Sequence, residues 1–247
     1  MPNRQLTPTP PHDTIWEPLS ANEITDRLRK KLLLTPEQIA ELGENAYALA
    51  WSVANATSVA VVQAMRESLA LAIEEGQTLE QWKDGLGDLV ETFTDGHLET
   101  VFRTTLATAY ESQRFDELTR DEFVEYLVYD AVNDDRVRPE HLALDGRAWK
   151  REEFPPEFWP PLPWDPWNCR CSVFPADSAD LMSLDAKVVT GRYPDGEDGV
   201  PIAPPAGFAT AGPSLSSLSQ QVRADLETLA RKWGWDASPI VPPPPKE

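Results

Sequence analysis

The chain has 247 residues, of which 41 are acidic and 22 are basic, so its formal net charge at pH 7 is −19. Such a charge repels nucleic-acid phosphates and anionic lipid surfaces, which argues against specific nucleic-acid binding and membrane association as primary roles. The 24 prolines are about twice the usual share, so we expect many of them in loops and tails. No apolar stretch reaches the roughly 18 residues of a transmembrane helix, and the first residues lack the apolar segment of a secretory signal peptide.

The N-terminal 95 residues are predicted to form an arm and a helical region. Residues 1–20 hold five prolines and little periodic apolar pattern, which indicates an extended arm or a disordered tail. Over residues 21–95 apolar side chains recur at helical spacing, with Asn22 as an acceptable first N-cap.

Two capping boxes are predicted within this helical region. Thr35 and Thr78 are each followed three residues later by a glutamine, the spacing at which the two residues cap each other's backbone N–H groups. We expect a long helical region from Pro36 to about Glu75, in which recurring alanines would allow two helices to pack closely as a helical hairpin, and a further helix from Leu79 to about residue 93.

Another helix is predicted from His97 to about Arg120. Its Arg103 and Arg114 lie about three turns apart and so project from one face. They either remain solvated or pair with carboxylates of the following segment. The apolar residues predicted to line its buried face are Leu98, Phe102, Leu106 and Ala109.

After this helix the composition changes from helical apolar spacing to strand-forming residues, and the sequence predicts an α+β fold. Residues 123–132 are rich in aromatic and β-branched side chains, which favour a strand. We expect one small sheet within a domain over residues 96–176, followed by an irregular segment over 177–213 and a C-terminal helix with a proline-rich tail over 214–247. The predicted strands lie near residues 124–132, 147–150 and 170–174.

Residues 154–168 contain six prolines and three tryptophans, so neither a helix nor a central strand is expected there. Tryptophan at this density is rarely left in water. We therefore predict an ordered loop in which Trp159, Trp164 and Trp167 pack against the preceding helix or the strands.

The ligand-type side chains of the sequence gather in two loops. His141 lies in the first loop, and Cys169 and Cys171, the two cysteines of the chain, lie in the second. Together with Asp134 or Asp135 they offer the imidazole, thiolate and carboxylate ligands that zinc accepts. Two alternatives stay open: a hydrogen-bonded histidine beside small buried cysteines, and a catalytic Cys–His pair. Asp135 is taken as the fourth ligand of the predicted metal site.

Three groups of residues, in a fixed order, resemble the phage Mu F-like head morphogenesis family of minor capsid proteins. An Arg-Thr pair in a helix is followed by an Ala-Tyr pair and an arginine, then by an Asp-x-Arg segment with a histidine and a glycine, and last by Asn-Cys-Arg-Cys after a proline-rich approach. The residues are Arg103-Thr104, Ala109-Tyr110, Arg114, Asp134, Arg136, His141, Gly146 and Asn168-Cys169-Arg170-Cys171.

This resemblance implies a structural protein without catalytic activity that helps to build a phage head. The implied partners are the portal protein and the major capsid or scaffold protein, at the portal or in the capsid interior, with a further role in DNA delivery. It implies location in the virion head, and in the host cytoplasm during assembly. Some relatives resemble a fuller metal site, with a Cys-x2-Cys at residues 138–141 and a histidine just before the Cys-x-Cys, and of such a site this sequence keeps His141 and the two cysteines. Zinc is the one cofactor considered.

Two other function classes remain open at this point. The chain could be a metal-dependent enzyme or a toxin-like effector packaged with the head. It could also be a binding module that is encoded in a bacterial chromosome and has no connection with a phage. An enzyme would be favoured by a second histidine or a carboxylate cluster near the cysteines, and His97 lies far from them in sequence.

Overall fold

The computed structural model shows an α+β protein in which a helical N-terminal part precedes a small mixed unit with a four-stranded sheet, as the sequence predicts. Within the described stretches, every helix falls short of the length and apolar character that crossing a bilayer requires. The structure describes residues 20–38, 50–56, 58–87, 93–196 and 199–205, together with residues 228 and 231.

Helix α1 spans Ala21–Lys30. Its N-cap is Ser20, not the predicted Asn22. The Ser20 hydroxyl accepts from the Glu23 backbone N–H over 3.3 Å, and the Glu23 carboxylate accepts from the Ser20 backbone N–H over 3.1 Å. This reciprocal capping box satisfies the backbone N–H groups of Ser20 and Glu23. A cap at Asn22 would leave these two donors without side-chain partners.

A strand interrupts the helical region predicted over residues 36–75. Strand β1 (Leu32–Leu33) pairs in parallel with strand β2 (Ala50–Trp51), so the prediction of helical structure is wrong at β2. Trp51 is buried and its indole N–H donates to Thr105 Oγ1 over 3.2 Å. A tertiary contact of this kind overrides the helical propensity of the local sequence.

Helices α2 (Val59–Glu74) and α3 (Leu79–Gly85) complete the N-terminal part. The capping boxes predicted at Thr35 and Thr78 are both present, with the reciprocal side-chain bonds to the glutamine three residues on. Helix α3 ends earlier than predicted, and residues 88–92 lie outside the described stretches.

Helix α4 (Asp95–Arg120) connects the two parts of the molecule, and the helix predicted from His97 is thereby confirmed with a slightly earlier start. Its predicted buried face is only partly right. Leu98 and Ala109 are buried, whereas Leu106 is 39% exposed. The exposed residues of this helix border the site described below.

Four strands form the main sheet: β3 (Tyr126–Asp130), β4 (Arg147–Lys150), β5 (Ser172–Ala176) and β6 (Lys187–Val188). Strand β3 is antiparallel to β4 and β5, and β4 is parallel to β6. The three predicted strands are confirmed, although β3 is shorter than predicted, β5 begins later, and β6 was not foreseen. In spatial order the strands are β5, β3, β4 and β6.

The sheet is covered on both faces. Leu127 and Tyr129 share a core with the last turns of α4 and the proline-rich loop. Val128 points to the other face and packs against Leu181 of helix α6 (Ser178–Leu184). Alternation along one strand thus supplies two separate apolar layers.

The segment 177–213 was predicted to be irregular, and this is wrong for its first part, which forms α6 and β6. Asp177 caps α6 through its own capping box with Asp180, a signal that the sequence contained. Two further predictions, the arm over residues 1–20 and the C-terminal helix and tail over 214–247, concern residues that lie almost entirely outside the described stretches.

The two arginines singled out on α4 have different partners. Arg103 pairs with Glu99 of its own helix over 2.9 Å. Arg114 binds the buried Glu111 and donates to the Val173 carbonyl oxygen of β5 over 2.6 Å. Arg114 therefore fixes the helix on the sheet, but through a backbone carbonyl and not through a carboxylate of the following segment.

The proline-rich loop over residues 154–168 is ordered and mostly packed, as predicted. Trp159 is fully buried, with its ring centre 5.1 Å from that of Phe115 in an edge-to-face arrangement. Trp164 is half-buried against the same core. The prediction is wrong for Trp167, whose surface is 53% exposed, because the chain leaves the core after Trp164.

Candidate metal-binding site

A short helix and the end of the proline-rich loop bring the predicted histidine and cysteines together. Helix α5 (Pro139–Leu142) carries His141, which is only 1% exposed. Cys169 and Cys171 are half-buried free thiols on the segment that leads into β5. The convergence of these three side chains across two distant loops, predicted from the sequence, is confirmed.

The distances within this cluster suit a tetrahedral metal ion. His141 Nδ1 lies 3.5 Å from Cys169 Sγ and 3.5 Å from Cys171 Sγ. The three donor atoms all lie within 4.8 Å of one another. Zinc bonds of about 2.0–2.3 Å in a tetrahedron place neighbouring ligand atoms about 3.3–3.8 Å apart. The nitrogen–sulfur separations therefore fit a zinc ion without movement of the backbone.

The outer edge of the imidazole faces a charged pair. Arg138 forms an ion pair with Asp165, and both side chains lie near His141 Nε2, with Arg138 Nε at 3.4 Å and Asp165 Oδ2 at 3.6 Å. Without a proton, Nε2 can accept a hydrogen bond from Arg138; with a proton, it can donate one to Asp165. This environment keeps the ring oriented with Nδ1 towards the sulfur atoms.

Arg138 also fixes the loop that carries the cysteines. Its guanidinium donates to the Asp165 carbonyl oxygen over 2.7 Å and to the Trp167 carbonyl oxygen over 2.8 Å. A planar guanidinium with several donors can bind two carbonyl groups and a carboxylate at once. Arg138 therefore connects the short histidine-bearing helix to the approach of Cys169.

Asn168 provides a second anchor, directly before Cys169. Its backbone lies in the left-handed region with φ 51°, which asparagine tolerates better than most residues. The Asn168 backbone N–H donates to Thr104 Oγ1 over 3.2 Å, and its side-chain amide donates to Thr100 Oγ1 over 3.3 Å. These bonds hold the cysteine segment on α4.

The hydrogen bond between the two thiols shifts their pKa values in opposite directions. The pKa of Cys171 is lowered, because the Cys169 thiol donates to its sulfur and because His141, the Val132 backbone and the Tyr129 hydroxyl add further hydrogen bonds, against the opposing effect of burial. The pKa of Cys169 is raised by its hydrogen bond to Cys171 and by burial. A lowered thiol pKa favours the thiolate, which is the form that binds zinc.

The carboxylates predicted as fourth ligands are not brought to this cluster. Asp134 instead binds Arg170 through two hydrogen bonds of 2.6 and 2.9 Å, and this contact, together with the Arg136 backbone N–H, lowers its pKa to about 2. Asp135 is exposed and stands outside the group of converging donors found among the described residues. The turn that directs Asp134 towards Arg170 leaves Asp135 on its solvent side.

Three residues of this site were missed by sequence reasoning: Tyr129, Arg138 and Asp165. The buried Tyr129 hydroxyl lies 3.4 Å from His141 Nδ1. Its pKa is raised mainly by burial and further by the negative charge of the neighbouring cysteines. Arg138 contacts His141 from three residues earlier in the chain, at the N-cap of α5, whereas Tyr129 and Asp165 reach the cluster only through the pairing of β3 and the path of the loop.

Comparison with known protein families matches the same region of the chain. Residues 63–174 match the model of the family described as Phage Mu protein F like protein. The matched segment begins within α2 and ends within β5, so it includes α4, most of the sheet and the whole histidine–cysteine cluster. The predicted resemblance to the Mu F-like proteins is confirmed.

Two curated relatives agree with this match. The chain is 27% identical over 211 residues to the Mu-like prophage FluMu F protein of Haemophilus influenzae, covering 78% of this chain and 50% of that protein. It is 28% identical over 178 residues to the putative capsid assembly protein F of Escherichia phage Mu, covering 63% of this chain and 39% of that protein. The chain thus spans half or less of these relatives, and no solved structure matches it.

Proposed function

We propose, from the confirmed resemblance of residues 63–174 to the Mu F-like proteins, that this chain is a structural minor head protein of a tailed phage or prophage. The observation that carries the proposal is the match itself, which covers every element of the cluster. A relative named as a capsid assembly protein supports a role in head assembly. The proposed role needs no chemical turnover by this chain.

The proposed partners are the portal protein and the major capsid or scaffold protein. The net charge of −19 supports protein partners over the DNA backbone. On this proposal the chain occupies the virion head, meets its partners in the host cytoplasm during assembly, and takes part in DNA delivery.

The cluster of His141, Cys169 and Cys171 is proposed to hold a structural zinc ion. One imidazole and two sulfur atoms at the observed separations would supply three of the four ligands of a tetrahedral zinc ion, with a water molecule as the fourth. When bound, the ion would fix three segments to one another, namely α5, the end of the proline-rich loop and the start of β5. Asp135 has no part in this proposal.

Association with the head can be tested by affinity capture. A tagged chain expressed in infected or prophage-induced cells is expected to retain the portal protein or another head protein, identified by mass spectrometry. The matched control is the same chain with Cys169→Ser and Cys171→Ser, which is expected to lose zinc and capture less. Recovery of no head protein by the unchanged chain would contradict the assembly role.

Zinc can be measured independently of assembly. Protein purified without chelator is expected to contain about one zinc per chain. His141→Gln should lower the zinc content, whereas His97→Gln, on the first turn of α4, should leave it unchanged. Equal zinc in both variants would argue against the cluster as the site.

A further inference from the structure

A groove lies beside the histidine–cysteine cluster, on the exposed side of α4. One wall is the first half of α4, and the other is formed by the turn at residues 134–138 and by residues 168–170. The volume of this open groove is about 830 Å³. The side chains that give the groove its character are Arg103, Leu106, Tyr110, Arg136, Arg138 and Arg170.

The side chains that line this groove are mostly basic, although each of its arginines pairs with a carboxylate: Arg103 with Glu99, Arg136 and Arg170 with Asp134, and Arg138 with Asp165. Four arginines from three separate segments line it, and Glu99 is the one carboxylate side chain among its described lining residues. The chain as a whole has 41 acidic and 22 basic residues. A local concentration of arginine on an acidic protein attracts negatively charged groups at short range.

The arginines of the groove already show how they bind carboxylates. Arg170 holds Asp134 through two hydrogen bonds, and Arg103 pairs with Glu99 over 2.9 Å. The side chains of Arg103 and Arg136 are nevertheless 56% and 69% exposed. Each guanidinium has five N–H donors, so donors remain that face the open groove.

Apolar surface in the same groove distinguishes between negatively charged partners. Leu106 and Tyr110 on α4 are 39% and 43% exposed, and the guanidinium of Arg114 lies 5.8 Å from the Tyr110 ring centre. A phosphodiester backbone has few apolar groups that could pack against Leu106 and Tyr110, whereas a peptide supplies both carboxylates and apolar side chains. The net charge of −19 also disfavours the approach of a long polyanion.

We propose that this groove binds an acidic peptide segment of a partner protein. Its carboxylates bind Arg103 and Arg136, and an apolar side chain packs between Leu106 and Tyr110. The binding chemistry follows from the groove alone, whereas the identification of that partner as a head protein rests on the function proposed above.

The direct test uses the purified full chain and a fluorescein-labelled peptide of four Glu-Glu-Leu repeats, followed by fluorescence anisotropy. The double variant Arg103→Glu with Arg136→Glu should bind at least about tenfold more weakly, the loss expected when two charge-assisted contacts become repulsive. The matched control is Arg120→Glu, because Arg120 is 69% exposed at the far end of the same helix. It should bind as tightly as the unchanged chain.

Two further probes define what the groove selects. A peptide of Gln-Gln-Leu repeats should bind at least about tenfold more weakly than the acidic peptide, and so should an oligothymidine of equal length. Circular dichroism verifies that the double variant is folded. If it is not, Arg103→Gln with Arg136→Gln replaces it, with the same expected direction.

Several results would overturn the proposal: absence of peptide binding, equal losses in the double variant and in Arg120→Glu, or tighter binding of oligothymidine than of the acidic peptide. Self-association of the chain that the double variant abolishes would instead assign the groove to a second copy. Peptide binding without capture of any head protein would contradict the proposed function and leave the groove proposal intact. Capture of head proteins without peptide binding would contradict the groove proposal and leave the proposed function intact.

Discussion

The two halves of the segment from residue 154 to residue 170 both contain proline and tryptophan but have different physical roles. From residue 154 to residue 163 nearly every residue is buried, whereas from residue 164 to residue 170 none is. The first half contains five prolines and one tryptophan, and the second half contains one proline and two tryptophans. The comparison shows that composition indicates order but does not indicate what produces it.

The first half is held by apolar packing. Phe154 and Phe158 both contact the Trp149 ring of β4, with ring centres 5.1 and 5.8 Å apart. Trp159 packs on Phe115, and its indole N–H donates to the buried Glu111 over 3.1 Å. This half is part of the core of the sheet.

Apart from Trp164, which packs against the same core, the second half is held by polar contacts. Arg138 binds the carbonyl groups of Asp165 and Trp167, and Asn168 binds two threonines of α4. Hydrogen bonds fix positions precisely but add less net stability than apolar burial. An exposed segment fixed in this way can present ligands, and this half carries Cys169 and borders the groove.

The largest expected effect is the loss of the Trp159 ring. Trp159→Ala should lower the free energy of unfolding by about 3–5 kcal/mol, because it leaves a cavity in a fully packed site and removes the indole donor from Glu111. Urea unfolding followed by circular dichroism measures this. A loss below about 1 kcal/mol would show that the first half of the loop is not part of the core.

Removal of metal should act on the second half of the loop. A chelator should lower the free energy of unfolding by about 4 kcal/mol relative to free zinc at a thousandfold excess over its dissociation constant. Hydrogen exchange should rise for the Asp165 and Cys169 amides and stay unchanged for the Phe158 and Trp159 amides. Unchanged exchange throughout would argue against a structural ion.

Arg138→Ala should cost about 1–3 kcal/mol, since it leaves loop carbonyl groups without their donor and His141 without its neighbour. Thermal unfolding measures the loss, and zinc content should fall in parallel. Arg147→Ala is the matched control, because Arg147 also donates to a loop carbonyl, that of Asp195 over 3.0 Å, but far from the cluster. A fall in zinc content in both variants would indicate a general loss of structure.

Trp167→Ala tests the other end of the comparison. Because this side chain is 53% exposed, the substitution should change the free energy of unfolding by about 0.5 kcal/mol or less. Urea unfolding measured beside Trp159→Ala gives the contrast directly. A cost comparable to that of Trp159→Ala would remove the distinction between the two halves.

The smallest expected effect concerns pH. Since the folded pKa of Asp134 is lowered from 3.8 to about 2, the stability contributed by its contact with Arg170 is fully present above about pH 4 and is lost as the pH falls towards 2. Carbon-detected NMR titration of the Asp134 carboxyl should give a midpoint near the lower value. Arg170→Gln should return it to the ordinary range, and an unshifted midpoint in the unchanged chain would contradict the contact.

Much of the second half of the molecule could be predicted from the sequence. Local signals decide the helix over Asp95–Arg120 and strands β3 and β4, because helical periodicity and β-branched runs report which face each element can bury. The cluster of His141, Cys169 and Cys171 was predictable because few residues of these types occur and their order is that of the Mu F-like proteins.

Tertiary structure alone decided the rest. Strand β2 displaced a predicted helix because burying Trp51 against α4 outweighs local propensity. Asp165 and Tyr129 reach His141 while Asp135 does not, since the path of the loop and the pairing of β3 with β5 determine which side chains converge. A sequence pattern reports what each segment can bury, but the partners of a polar side chain depend on contacts between segments far apart in the chain, which no local pattern contains.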